Sequence, residues 1–243
     1  MLIKTRGIVL RAIKYSETSI ITDIYTEERG LRSYISSGVR SPKAKLKASL
    51  LQVMSLVELV AYERHEQGLN RIKELRAAHV YRAIPFDVRK GAVGLFLAEI
   101  ARKAIREPEE NRALFDFLFE SFRFLDESPH PVVNLHLHFL LNFSAFLGFL
   151  PGGRWAADTP FLDLQEGAFA PKAPDHAYYL DERESELLFE LLECPLQDCH
   201  RIALSRAQRK ALLLHLLDYY RYHIDNFPEI HAHVVLEEVL GGG

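Results

Sequence analysis

Residues 30–60 read "GLRSYISSGVRSPKAKLKASLLQVMSLVELV", and the fold turns on how this stretch divides. Its outer parts, "GLRSYISSG" and the run ending in "SLVELV", are rich in Val, Ile, Leu and Tyr and read as β-strands. Between them "PKAKLKASLL" has the composition of a short helix with Pro42 in its first turn, where a missing N–H is no loss. Outward from this core, "LIKTRGIVLRAI" (2–13) and "TSIITDIYTE" (18–27) supply two earlier strands and "LNRIKELRAAHV" (69–80) a later one, separated by "KYSE", "ERG" and "EQG". Five strands with a helix between the third and fourth is the order of an OB-fold barrel. Two β-hairpins packed on a helical part satisfy the same periodicity.

From about residue 85 the texture changes. Val93, Phe96, Leu97, Ile100 and Ala104 recur at helical spacing, as do Leu114, Leu118, Phe122 and Leu125, and Pro108, Pro129 and Pro131 separate the helices. Ser205 and Gln208 stand in capping-box spacing and predict a helix start. The Pro- and Gly-rich residues 150–179 lack helical period and read as a compact irregular insert. The expectation is an α+β chain: an OB-fold barrel over 1–80, then an all-α domain over 81–243 carrying that insert.

Composition is that of a globular protein, with 48% hydrophobic and 26% charged residues. The apolar run "HFLLNFSAFLGFL" is too short to span a bilayer, and "MLIKTRG" meets charge before an apolar region forms, so a cytoplasmic protein away from membranes is expected. Net charge is −3, but residues 1–80 carry +6 and the remainder −9. A basic front on an acidic chain points to a polyanionic partner.

The candidate phosphate contacts among that front's cations are Lys4, Arg6, Arg11, Lys14, Arg29, Arg32, Arg40, Lys43, Lys45 and Lys47, the last four within eight positions. Many point charges on one small barrel suit phosphate tracking, and single-strand binding adds rings on which bases stack. Strand alternation in "GLRSYIS" sets Arg32 and Tyr34 on the face opposite Leu31, Ser33 and Ile35, so this cation and ring are expected to point outward together. Tyr15, in the first turn, is a second stacking candidate.

The ordered series "TRGIVL" (5–10), "YSETS" (15–19), "YTEERG" (25–30) and "GVRSPK" (38–43) resembles the RecO family of bacterial recombination-mediator DNA repair proteins, and "LGFLP" (147–151) extends the resemblance over nearly the whole chain. The resemblance implies an OB-fold that binds single- and double-stranded DNA, followed by a helical domain, with no enzymatic activity. It implies annealing of strands coated by single-stranded DNA-binding protein, loading of the RecA recombinase together with RecR, and contact with the coat protein's acidic C-terminal tail. Cations suited to that tail stand in two clusters, Arg102, Lys103 and Arg106, and Arg206, Arg209 and Lys210. Many family members carry a four-cysteine zinc site after "LGF.P". Here that insert has no cysteine and is expected to fold without metal around Trp155, Phe161, Leu162 and Phe169.

Rival classes are an adaptor whose barrel meets protein, with DNA contact incidental, and a metal-dependent hydrolase using the histidines. The second lacks support. His136 and His138 diverge on a helix, adjacent Cys199 and His200 cannot orient a thiolate against an imidazole, and the C-x4-C spacing of Cys194 and Cys199 is not that of a zinc knuckle. No catalytic residue, metal or cofactor is expected.

Overall fold

The computed structural model of the 243-residue chain describes residues 1–39, 47–63, 68–106 and 109–241. Five strands close into a barrel in the order β1-β2-β3-β5-β4: β1 (Leu2–Lys14), β2 (Ile20–Thr26), β3 (Gly30–Ser36), β4 (Leu56–Tyr62) and β5 (Leu69–Ala77). β1 is long enough to pair with β4 through its first half and with β2 through its second, and its register shifts between Val9 and Arg11 where it bends. Every pairing is antiparallel except β3 with β5, which closes the barrel in parallel through Ser33–Leu69, Tyr34–Asn70 and Ile35–Arg71.

The interior is filled by Ile3, Val9, Ile24, Tyr34, Val39, Leu51, Val57, Leu59, Ala61 and Ile72. Gly7 keeps β1 close to β2 there, since a Cβ would stand 2.5 Å from Ile24 Cγ2. The expected helix between β3 and β4 is a single 3₁₀ turn, Ala48–Leu51, whose Leu51 is buried in that core; its earlier part lies outside the described residues.

β2 is buried on both faces. Ile24 points into the barrel, while Asp23 and Tyr25 face outward beneath helices α1 (Val88–Ala104) and α2 (Arg112–Glu127). Tyr25 stacks on Phe115 with ring centroids 6.3 Å apart, and α2 turns Leu114, Phe115, Leu118, Phe122 and Leu125 inward. These contacts make the barrel and the first two helices one compact unit, Met1–Glu127, with Ser128–Gly243 as the second. Composition changes near residue 80, but the packing divides the chain 47 residues later, because α1 and α2 bury their apolar faces with the barrel.

The turn leading from β5 to α1 is held by one carboxylate. Asp126 accepts the backbone N–H groups of Arg82 (3.0 Å), Ala83 (2.8 Å) and Ile84 (3.0 Å), and His79 Nε2 lies 3.1 Å away. Lys90 Nζ donates to the Asp126 carbonyl at 2.8 Å.

The second unit contains α3 (Leu135–Phe146), α4 (Glu182–Glu193), α5 (Arg206–His223) and α6 (Ala232–Gly241). α5 begins at the Ser205–Gln208 capping box, as its spacing predicts. The insert is more regular than its composition suggests: β6 (Phe161–Asp163), β7 (Ala168–Ala170) and β8 (Tyr179–Leu180) form a three-stranded sheet in the order β7-β6-β8. Leu162 is buried, Trp155, Phe161 and Phe169 are half-buried, and the Asp163 carboxylate is used by the N–H groups of Gln165 and Glu166 and by His176 at 3.3 Å. Among the described residues no cluster of three or more His, Cys, Asp or Glu side chains could hold a metal ion, and no helix is long and apolar enough to cross a membrane.

Candidate nucleic-acid interface

Several of the front's cations hold the fold together. Asp23, with a side chain 1% exposed, takes Arg11 Nε at 2.7 Å, Arg102 Nε at 2.6 Å and the Ser33 hydroxyl at 2.6 Å. Burial alone would raise the Asp23 pKa; the hydrogen bonds from Arg11, Ser33 and Arg102 outweigh it and hold the carboxyl below its usual range. Arg6 makes a two-pronged pair with Glu27 (2.7 and 2.9 Å), reaches Asp116 at 3.1 Å, and lies over the rings of Phe115 and Phe119 at 5.1 and 5.0 Å. Arg112 adds a third contact to Glu27 at 2.8 Å. Arg6 and Arg102 therefore tie the barrel to its helices, Arg11 joins β1 to β2 through the same Asp23, and this engagement is the one the fold gives Arg102. Its neighbour Lys103 pairs with Glu99 at 2.6 Å, and Arg106 stands exposed.

The reading of β3 is corrected. Burial along Gly30–Ser36 alternates in the opposite phase to the expected one, with Arg32 and Tyr34 buried and Leu31, Ser33 and Ile35 half-covered. Tyr34 is fully buried in the barrel core and offers no stacking face, and Arg32 is 9% exposed. The physical reason lies on the strand's other face: Ser33 donates to Asp23 beneath the helices, so the alternate Tyr34 fills interior volume between Thr22 of β2 and Asn70 of β5.

Other candidates are at the surface. Lys4, Lys14 and Lys47 are exposed, Tyr15 is 64% exposed, and Arg29 is half-buried against Glu63 at 3.4 Å. Arg40, Lys43 and Lys45 lie outside the described residues. Among the described cations Arg6 faces α2 and Arg32 is interior.

In the second unit Arg206, Arg209 and Lys210 come together at the start of α5, where with His136, Leu213 and α6 they line a cavity of about 280 Å³. α6 contributes Val234, Leu236 and Leu240 to its wall, and Glu237 pairs with Lys210 at 2.9 Å. The Arg206 guanidinium lies against Gly241, where a Cβ would collide with it. Arg209 donates to the Leu204 carbonyl at 2.5 Å, and burial lowers its pKa from the usual arginine value.

Comparison with known proteins bears on the whole chain. The family described as recombination protein O matches in two parts, the N-terminal part over residues 1–81 and the C-terminal part over residues 85–229. Similar proteins include the DNA repair protein RecO of Phocaeicola vulgatus, 38% identical over 99% of this chain and 100% of the relative, and that of Bacteroides fragilis, 37% identical over the same shares. The corresponding protein of Flavobacterium psychrophilum is 34% identical, again over 99% and 100%. The chain belongs to the RecO family. RecO proteins act in DNA repair and recombination and are not enzymes.

The remaining titratable groups suit a RecO protein in which they serve the fold. His136 and His138 are both buried on α3. Burial pushes the His136 pKa down to about 3, and the His138 ring meets the Cys194 carbonyl at 3.0 Å. The thiol of Cys199 is pushed up to about 12, chiefly by burial, so it is not a nucleophile at neutral pH.

Two residues that sequence reasoning passed over stand on the barrel's outer face. Tyr62, at the end of β4, is 45% exposed, and its ladder partner on β5 is Arg71, also exposed. The outward ring beside an outward cation, sought on β3, is found across β4 and β5. No pattern within either strand links the two, because the pairing depends on a register shift between Val60 and Ala61.

Proposed function

We propose that this chain is a recombination mediator that binds single- and double-stranded DNA through its barrel, anneals complementary strands, and with RecR helps load RecA onto strands coated by single-stranded DNA-binding protein. The observation that carries the DNA reading is the set of barrel cations the fold does not use. Lys4, Lys14, Lys47 and Arg71 are exposed and make no ion pair among the described residues. Cations of this kind meet phosphates without reading sequence, so affinity is expected to fall steeply with salt and to vary little between sequences.

The test is fluorescence anisotropy with labelled oligonucleotides at several salt concentrations. Replacing Arg40, Lys43, Lys45 and Lys47 together by Ala is expected to reduce the single-strand salt slope by about 3, at roughly 0.7 per lost phosphate contact. An unchanged slope in the four-fold variant would assign that segment to solvent, and a wild-type chain without salt-dependent binding would overturn the reading.

We read the cavity between α5 and α6 as the receptor for the coat protein's acidic C-terminal tail. Three cations beside apolar Leu213 and Leu236 fit a peptide that is both acidic and apolar, and Glu237 already occupies one cation as such a peptide would. With a labelled acidic, apolar-ended tail peptide, Arg206→Glu is expected to weaken binding about tenfold or more, while Glu237→Gln, which frees Lys210, strengthens it a few-fold. Equal binding by both variants and the wild type would place the tail elsewhere.

A further inference from the structure

The outer face of the barrel differs sharply from one side to the other. β2 is covered outside by α1 and α2, so its Asp23 and Tyr25 are buried. The wall made by the first half of β1 with β4 and β5 is open except at its Arg6 end, which lies against α2. Ladder partners point to the same face of a sheet, and here they form rows: Leu2–Tyr62–Arg71, then Lys4–Val60–Glu74, then Arg6–Glu58–Arg76. The alternating residues Ile3, Ala61 and Ile72 are buried inside, so the rows face outward.

The first row is unlike an ordinary solvated surface. Leu2 is 51% exposed, Tyr62 45% and Leu69, two residues before Arg71 on the same face, 51%. Three large apolar groups thus sit together in water, bordered by Lys4 and Arg71, neither of which has an ion-pair partner among the described residues. The register shift between Val60 and Ala61 leaves Lys73 as the extra residue on β5, with its side chain 43% exposed between the first two rows. The wall's two acids are engaged, Glu58 with Arg76, and Glu74 with Lys73 at an exposed 3.5 Å contact that is easily exchanged.

We propose that this β1–β4–β5 wall is the platform for single-stranded DNA, with a base stacked on Tyr62 and packed by Leu2 and Leu69, and with phosphates held by Lys4 and Arg71. The inference rests on the DNA-binding reading above and deepens it by placing the strand. Exposed apolar surface rimmed by cations suits unpaired bases and phosphates together, whereas a duplex keeps its base faces stacked and gains only from the charges. The wall therefore favours single strands, and the β2 face, roofed by helices, takes no part.

The test uses the full chain and anisotropy titrations with a labelled oligothymidylate and with a duplex of equal length, at several salt concentrations. Tyr62→Ala is expected to weaken single-strand binding about tenfold with the salt slope unchanged and duplex binding nearly so, while Tyr62→Phe, which keeps the ring, binds within about twofold of wild type. The double variant Lys4→Ala, Arg71→Ala is expected to lower the single-strand slope by about 1.4, from two lost phosphate contacts. Wild-type affinity in Tyr62→Ala, or a wild-type slope in the Lys4, Arg71 variant, would overturn the proposal while leaving DNA binding itself intact. Absence of salt-dependent binding by the unaltered chain would instead sink the broader reading and this placement with it. Since all the altered side chains are exposed, thermal melts should match wild type, and either variant set alone decides the question.

Discussion

Replacing Asp126 by Ala is expected to remove about 3–5 kcal/mol of stability from the first unit, read as a shift of the urea midpoint. The side chain is 1% exposed and its oxygens satisfy three backbone N–H groups in the turn between β5 and α1. Alanine leaves those donors buried without acceptors and frees His79, so the loss exceeds that of one ordinary hydrogen bond. The same group gives a pH signature. Burial would raise its pKa, but the N–H groups of Ile84, Arg82 and Ala83, with His79, bring it from the ordinary 3.8 down to about 2. A depressed folded-state pKa means the contribution is fully present above the unfolded value and is lost as pH falls through the folded one. The stability gap between wild type and Asp126→Asn should therefore hold steady above pH 5 and shrink by about 2 kcal/mol as pH approaches 2. A gap independent of pH across that window would show that the carboxylate charge does not hold the turn.

Tyr34→Ala is expected to unfold the barrel more than it weakens any ligand. The ring is fully buried among Ile24, Val39 and Ile72, and truncation leaves a cavity costing about 3–5 kcal/mol. Its hydroxyl has no hydrogen-bond partner among the described residues, so Tyr34→Phe removes only a desolvated polar group and should be neutral or stabilising by about 1 kcal/mol. Thermal melts of the two variants separate these effects. If Tyr34→Ala melted with the wild type and lost DNA affinity, the ring would be a stacking surface and the placement of β3 wrong.

The fate of β3 shows what sequence can and cannot convey. Alternation in "GLRSYIS" is real, but both phases carry plausible interior residues, and choosing the phase with Leu31 and Ile35 inside followed ordinary hydrophobicity. The hydrogen bond from Ser33 to the helix-covered Asp23 sets the opposite phase. The succession of five strands and the capping box at Ser205 were legible because they depend on neighbours in the chain. The distant members of the ion networks around Arg6 and Arg11 were not: Arg6 meets Asp116 across 110 positions, and Arg102 joins Arg11 on Asp23 across 79. Counting cations in the front segment treated these as free charge, when packing had already neutralised them. Tyr62 and Arg71 escaped notice for the complementary reason, since only a strand register makes them neighbours.

The double burial of β2 bears on what can be inherited or excised as a piece. The two family segments meet between residues 81 and 85, at the passage from strand to helix, whereas the cohesive body extends to Glu127. A barrel cut away at that passage would bare Tyr25 and leave Arg6 and Arg11 without the helices' share of their ion network. The portable module of this protein is thus a barrel already wearing two helices, and substitutions in α1 and α2 are constrained by strands that lie some 80 to 110 positions earlier in the chain.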